Sequence, residues 1–393
     1  MPPEHPTVSA EADPSRPSAV YVHIPFCARR CLYCDFNTYD DRAHEIPRYM
    51  EALVHQISTC PHAGTPVTTI YVGGGTPSLL PPRQLQRLFD TIRCTFRVDA
   101  QAEISVEVNP ASADCECFAT LRSCGVTRLS VGVQSLDDAV LRTLGRLHSA
   151  SDARMALRLV QAIGFSSVSA DIMFGIPGQT MDSLQATVST LVTLGIPHIS
   201  AYALSIEDDT PFARMLRDGR LTPVTEETAA EMYAFFVDYL SSQGYEHYEV
   251  SNFARPGHRC RHNLVYWRNK PYLGFGAGAA SYVAGVRSVA VGDPRVFAER
   301  IFAGESVVAS SESLSPAQSL AETVMLSLRM AEGVDLRALS LRYAAELVAR
   351  LEECIPALEK RGLVRFEDRR IRLTRQGLFL ADSVIAEIMA ALY

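Results

Sequence analysis

The chain has 393 residues, long enough for one large domain with something smaller beside it. Hydrophobic residues make up 47% and charged residues 21%, with mean hydropathy near zero, which excludes a disordered chain; no apolar run approaches the roughly 18 residues of a membrane span. The 37 lysines and arginines against 44 acids give a net charge of −7, which argues against a general nucleic-acid-binding surface and leaves only a local basic patch open.

Residues 1–18 are rich in proline and acid and lack the basic and apolar parts of a signal peptide, so they read as a disordered N-terminal extension of a cytoplasmic protein. In a reducing compartment, clustered cysteines bind metal or do chemistry more often than they form disulfides. The apolar segment Ala19 to Ile24 reads as a strand and leads into HIPFCARRCLYCDF, where Cys27, Cys31 and Cys34 are spaced C-x3-C-x2-C. Three thiolates in one short loop can wrap a compact metal centre and leave it one protein ligand short of four. Such an open position is how a metal site admits a substrate or cofactor. Zinc, with His23 as the fourth ligand, is the alternative. The other seven of the ten cysteines, Cys60, Cys94, Cys115, Cys117, Cys124, Cys260 and Cys354, read as small packing residues.

Strand-like and helix-like stretches then alternate. Strands are expected at Thr69 to Val72, Glu103 to Val108, Arg128 to Val133, Val168 to Met173 and His198 to Leu204. Helices are expected at Pro47 to Thr59, Pro82 to Thr95, Asp114 to Cys124, Asp152 to Ile163 and Met181 to Leu194. With the first strand this predicts an α/β fold of six parallel strands over residues 19–212, enough for a curved sheet or a partial (β/α)6 TIM-like barrel, whose active face lies at the C-terminal strand ends. Those ends carry Gly73-Gly74-Gly75-Thr76, Glu107, Gln134 and Asp171, with Arg146 nearby. Glycine turns open the backbone to a ligand, carboxylates take up amines or hydroxyls, and an arginine takes up a carboxylate.

Residues 213–313 read as an extension of the barrel. GYEHYEVSNFA leads into a loop-like stretch, RPGHRCRHNLVYWRNKPYLGFGAGAASY, which holds the only tryptophan. His262 close to Tyr266 and Trp267 offers an imidazole beside flat rings, as suits an iron porphyrin, though the residue types alone favour a structural turn. Gly274, Gly276 and Gly278 follow no clear strand and make no dinucleotide fingerprint. From Leu314 the order helix, Leu336 to Tyr343, Leu351 to Lys360, a hairpin at Glu367-Asp368 and a final helix Gln376 to Leu392 predicts a winged-helix-like α+β module over 314–393. Its arginines are interleaved with acids, so nucleic acid is not the expected partner.

Taken together, CARRCLYC, YVGGGTPSLL, EVNP, SVGVQS and DIMFGIPGQT resemble the radical S-adenosylmethionine (SAM) superfamily over residues 19–210. The resemblance implies a [4Fe–4S] cluster held by Cys27, Cys31 and Cys34, its open iron chelated by the amino and carboxylate groups of SAM. It places Tyr33 beside the adenine and gives Gly74, Gly75 and Thr76 the methionine amino end. Tyr21, Glu107, Gln134, Arg146 and Asp171 match polar positions that contact SAM in the porphyrinogen-related branch.

HNLVYW and MLSLRMAEGVDL further resemble the HemW-type haem chaperones, relatives of the coproporphyrinogen III dehydrogenase HemN. This implies haem as bound cargo with His262 as its ligand, recipient haem proteins of respiration, membrane-bound ones included, and an electron donor for the cluster. A homodimer and a peripheral membrane contact are compatible with it. HemN-type enzymes carry a further cysteine two residues after the third, where Phe36 stands, and a longer stretch before the loop; both differences favour a chaperone over radical decarboxylation of a tetrapyrrole. Relatives commonly read G-A-H-S-Y where this chain has Ala280 in the third place, which puts in doubt any haem or substrate contact there.

Overall fold

The structure is a computed structural model, and it describes residues 16–112 and 114–392. Most of the expected N-terminal extension lies outside the described residues; at its end, the Ser18 carbonyl already accepts the Thr68 N–H at 2.8 Å.

The first half runs β1 (Ala19–Ile24), α1 (Ile46–Ser58), β2 (Pro66–Gly74), α2 (Pro82–Thr95), β3 (Arg97–Val108), α3 (Cys115–Ser123), β4 (Arg128–Gln134), α4 (Asp138–Leu144), α5 (Ala150–Ile163), β5 (Ser167–Phe174), α6 (Met181–Thr193) and β6 (His198–Ala203). The six strands pair in parallel in chain order. One row of each strand is apolar and faces the helices: Val20, Val22 and Ile24 of β1, Ile70 and Val72 of β2, Ile104 and Val106 of β3, and Leu129 and Val131 of β4 are all buried in one core. α1 meets that core with Tyr49, Met50, Leu53 and Ile57, the stripe that a 3.6-residue period requires. α5 starts at a Ser149–Asp152 capping box and stops at Gly164 in the left-handed region, so its ends are set by local chemistry.

The opposite row of each strand is polar and faces inward. By register, Tyr21 and His23 of β1 stand beside Tyr71 and Gly73 of β2, and then come Ser105 and Glu107, Arg128 and Ser130, Ser169 and Asp171, and His198 and Ser200. Closed eight-stranded barrels fill this interior with branched apolar side chains. Here a hydrogen-bonded network fills it instead.

The chain continues through α7 (Pro211–Arg217), α8 (Glu226–Ser242), β7 (Glu246–Glu249), β8 (Asn252–Ala254), α9 (Arg261–Trp267), β9 (Leu273–Phe275), β10 (Ala280–Val283), β11 (Val286–Ala290), α10 (Pro294–Ala303) and β12 (Val308–Ser313). Three of these strands lengthen the barrel sheet to nine, in the order β7-β8-β6-β5-β4-β3-β2-β1-β9. The stretch expected to be loop-like therefore folds: RHNLVYW is a helix, and Gly274 lies in a strand. The carbonyl of Ala280 sits where a Cβ at position 274 would be, so this strand admits only glycine there.

The C-terminal module has α11 (Pro316–Leu328), β13 (Val334–Asp335), α12 (Leu336–Arg342), α13 (Ala345–Lys360), β14 (Val364–Glu367), β15 (Arg370–Leu373), α14 (Arg375–Phe379) and α15 (Ala381–Leu392) around a core of its own. Asp368 and Arg369, both at positive φ, form the two-residue turn of the expected hairpin. The single helix expected over 376–392 is interrupted at Leu380. Arg361, Arg365, Arg369, Arg370 and Arg375 pair with Glu387, Glu367, Glu352, Asp335 and Asp238, so this arginine-rich face is largely neutralised. No helix among the described residues is long and apolar enough to cross a membrane.

Candidate functional site

A cavity of about 400 Å³ opens at the C-terminal ends of the barrel strands. Cys27, Cys31, Tyr33, Cys34, Gly74, Gly75, Thr76, Glu107, Gln134, Arg146 and Asp171 all line it. They come from the loop after β1, from the ends of β2 to β5 and, for Arg146, from the turn after α4, so the parallel register brings residues more than a hundred positions apart into one wall.

The cysteine loop is held at both ends. Cys27 N–H donates to Tyr39 O and Tyr39 N–H to Pro25 O, closing its base, while Leu32 bonds through its backbone to Leu144 and to Phe212. Arg30 Nε donates to Cys34 O at 3.2 Å, inside the loop. The three cysteines are free thiols, and burial pushes Cys27 up to about 11 and Cys34 upward as well. Thr76 Oγ1 lies 3.6 Å from Cys27 Sγ, and Arg146 Nη1 lies 3.4 Å from Cys31 Sγ.

Arg146 Nη2 donates to Gly132 O at 2.7 Å, but its Nε is buried with no hydrogen-bond partner. Gly75 lies so close to Phe26 that a Cβ would fall 2.5 Å from its carbonyl oxygen, and Gly74 combines a φ of +112° with the His23 ring 2.5 Å from any added Cβ. Three sulfurs around one cavity, an orphaned guanidinium donor and a backbone cradle without side chains fit a cluster with an anionic, amine-bearing ligand on its open iron. Zinc fits less well. His23 engages the Tyr21 hydroxyl through Nδ1 and the Asn37 carbonyl through Nε2, and among the described residues no three His, Cys, Asp or Glu side chains close on a single-ion site.

Opposite the cysteines stand two acids. Glu107 accepts from Gly74 N–H and from the Tyr71 hydroxyl, both at 2.9 Å. Enclosure by the barrel raises its carboxyl to about 7, against the pull of those two donors. Asp171 accepts from Ser130 Oγ at 2.7 Å and from Ser169 Oγ at 3.0 Å, and burial raises it too. Gln134 ends β4 at φ +62°, just after an irregularity in the β4–β5 register. A bulge of this kind turns a side chain that would follow the strand alternation toward the cavity.

Two expected residues are not in this wall. Tyr21 lies below the cavity, its hydroxyl 2.9 Å from His23 Nδ1. His262 is 0% exposed, with Nδ1 2.9 Å from Thr69 Oγ1 and Nε2 2.9 Å from the Tyr266 hydroxyl. Burial pushes the imidazole down to about 3, so it is neutral, and both ring nitrogens are engaged within the protein. In this conformation the expected haem ligand presents no lone pair to an iron. Position 280 also lies outside the cavity lining, at the start of β10.

Sequence reasoning overlooked Tyr71, Ser130, Met173 and Tyr202, which also line the cavity. It also missed His198, Tyr248 and Glu103 in the network beneath. The signal was present: Glu103, Ser105 and Glu107, like Ser167, Ser169 and Asp171, are polar rows at the two-residue strand period within otherwise apolar strands.

Comparison with known proteins agrees with this geometry. Residues 21–191 match the Radical SAM superfamily model, and residues 314–380 match the HemN C-terminal domain. The haem chaperone HemW of Mycobacterium tuberculosis (strain H37Rv) is 38% identical over 381 residues, covering 96% of each chain. HemW of Bacillus subtilis is 34% identical over 377 residues, 95% of this chain and all of its own. The solved structure of coproporphyrinogen III oxidase (HemN) from Escherichia coli, a radical SAM enzyme, matches with a TM-score of 0.82 at 26% identity, covering 97% of this chain and 91% of that one. With a cysteine-lined cavity on a parallel barrel and relatives this similar along nearly their whole length, the chain belongs to the HemW haem-chaperone family of the radical SAM superfamily.

Proposed function

We propose that the protein is a haem chaperone that binds a [4Fe–4S] cluster through Cys27, Cys31 and Cys34, holds SAM in the adjoining cavity, and delivers haem to recipient haem proteins such as those of respiration. The observation that carries this reading is the convergence of the three cysteines, Arg146, Glu107, Gln134 and Asp171 on one cavity in a chain whose relatives are named haem chaperones. When bound and reduced by an electron donor, the cluster supplies one electron for cleavage of the SAM sulfonium. Glu107 and the Gly74–Gly75 backbone receive the methionine amino end, Arg146 its carboxylate, Asp171 and Gln134 the ribose side, and Tyr33 the adenine. Ligation of haem by His262 then requires α9 to leave Thr69 and the ring to part from Tyr266 of its own helix.

A second reading, radical decarboxylation of a tetrapyrrole, is favoured by the likeness to HemN. Against it stands Phe36, 64% exposed at the cavity rim, where HemN-type enzymes carry a thiol. Anaerobically reconstituted protein separates the two. It is titrated with haem, with His262→Ala alongside, and assayed in parallel for consumption of coproporphyrinogen III with SAM and reductant. Stoichiometric haem binding without turnover supports the chaperone; tetrapyrrole decarboxylation together with haem binding unaffected by His262→Ala overturns it.

A further inference from the structure

We propose that the cavity and α9 are two ends of one hydrogen-bonded barrel interior, so that filling the cavity changes how firmly α9, and His262 with it, is held. This deepens the chaperone reading and draws its biological meaning from it.

One line runs from Asp171. Its Oδ1 lies 3.0 Å from Ser169 Oγ, which lies 2.7 Å from His198 Nδ1. His198 Nε2 lies 2.8 Å from the Tyr248 hydroxyl, and that oxygen accepts at 3.2 Å the N–H of Cys260, the residue capping α9. His198 is fully buried and held neutral, so its ring carries one proton. A carboxylate only accepts, so Ser169 donates to Asp171, His198 donates from Nδ1 to Ser169, and Tyr248 donates to Nε2. Every donor between α9 and the cavity points toward the cavity. Where a ligand donor displaces Ser169 from Oδ1, the freed hydroxyl turns toward His198 or toward Ser200 Oγ at 3.2 Å. If it turns to Nδ1, the ring proton must sit on Nε2, and the Tyr248 hydroxyl loses its acceptor.

The second line starts at Glu107. Its partner Tyr71 stacks on His262, with ring centroids 5.3 Å apart and planes 30° from parallel. Below the ring, Glu103 accepts the N–H groups of Arg261 at 3.1 Å and His262 at 3.0 Å, so the floor helix is pinned by a strand of the barrel itself. The two lines meet at α9 from different strands, and both begin at acids that line the cavity.

Trp267 ends α9, is the only tryptophan, hydrogen-bonds the buried Glu249 and packs against Tyr248 and Met330, so its emission reports on this helix and its seat. The cluster-loaded full chain is compared with and without saturating SAM, reading Trp267 emission and amide exchange across residues 261–267. In the wild type, exchange changes about five-fold or more, the lower end of ordinary coupling between sites. Tyr248→Phe lies outside the cavity lining, keeps the ring and its packing, and cuts the line from Asp171; the variant still binds SAM by equilibrium dialysis while the response of α9 falls several-fold. An α9 that ignores SAM in the wild type, or responds equally in Tyr248→Phe, overturns the inference. Haem titration of the same samples tests the other reading separately, because a wild type that binds no haem ends the chaperone reading whatever α9 does.

Discussion

Arg146 Nη1 lies 3.4 Å from Cys31 Sγ, so a guanidinium bears directly on one of the three thiols that face the cavity. A cation and a hydrogen bond at a cluster sulfur withdraw charge from it and favour the reduced, more negative cluster. Arg146→Gln makes the cluster potential more negative by roughly 60 mV, one decade in a one-electron equilibrium. It also weakens SAM binding, because the unpartnered Nε is lost. Redox titration of the reconstituted protein followed by electron paramagnetic resonance measures the shift; an unchanged potential contradicts it.

The cysteines divide sharply. Cys27→Ala, Cys31→Ala and Cys34→Ala each leave two loop thiols and abolish stable iron and sulfide binding, read by chemical analysis after anaerobic reconstitution. Cys117→Ala sits in the core against the Ser78 carbonyl and keeps full iron content. It lowers stability by about 1 kcal/mol through the small cavity it leaves.

Gln134 holds a left-handed backbone that costs a side-chain-bearing residue on the order of 1–3 kcal/mol. Gln134→Gly removes that strain, offset by glycine's greater chain entropy of about 0.5–1 kcal/mol. The variant melts at the same temperature as the wild type or a few degrees higher, while its SAM affinity falls about ten-fold. Calorimetry and equilibrium dialysis on one preparation test the pair of outcomes, and a simultaneous loss of stability and affinity would mean that the side chain supports the fold.

Glu107 sets a pH dependence whose sign follows from its raised carboxyl. The unfolded chain ionises this group near 4.5 and the folded chain near 7, so between those values the folded state holds the extra proton. Its contribution to stability is intact below about 4.5 and is lost as pH rises toward 7, amounting to about 2 kcal/mol once solvent in the cavity is allowed for. The buried neutral histidines His198 and His262 act in the opposite direction at lower pH, so the wild-type curve alone does not isolate the effect. The difference between Glu107→Gln and wild type does: the variant gains relative stability from pH 5 to pH 8 in cluster-free protein. A difference flat with pH refutes the assignment.

The C-terminal module is attached by contacts of unequal weight. Asn269 is 4% exposed and donates to Thr323 Oγ1 at 3.0 Å, with Tyr343 behind it at 2.7 Å. Asn269 also sits at φ +47°, a conformation asparagine tolerates better than alanine. Asn269→Ala costs about 2–3 kcal/mol, from a buried bond and a strained backbone together. The bidentate Arg375–Asp238 pair is exposed and screened by solvent, so Arg375→Ala leaves the melting temperature within error. Thermal denaturation of the two variants decides between these weights.

Much of the barrel was legible because its signals are local. Helix stripes, strand alternation, the Ser149 capping box and the glycine after α5 all act within a few residues, and most strand and helix ends fall close to the expected ones, although β3 starts six residues early at Arg97 and α4 was not expected. The last helix was not read correctly: it is interrupted at Leu380, just after Gly377, whose backbone lies against the Leu363 carbonyl at the lead-in to β14.

By itself the sequence determined the βα order, the C-x3-C-x2-C loop and the polar strand-end residues that line the cavity, since each is written in adjacent residues. Only the tertiary structure decided what HNLVYW does at rest. Its helix is short, its N–H groups are held by Glu103, and its histidine is held by Thr69, partners more than 150 positions away along the chain. Bonds that close over such distances leave no local sign in the motif, so a stretch that reads as a loop becomes the floor of the barrel, with His262 facing inward.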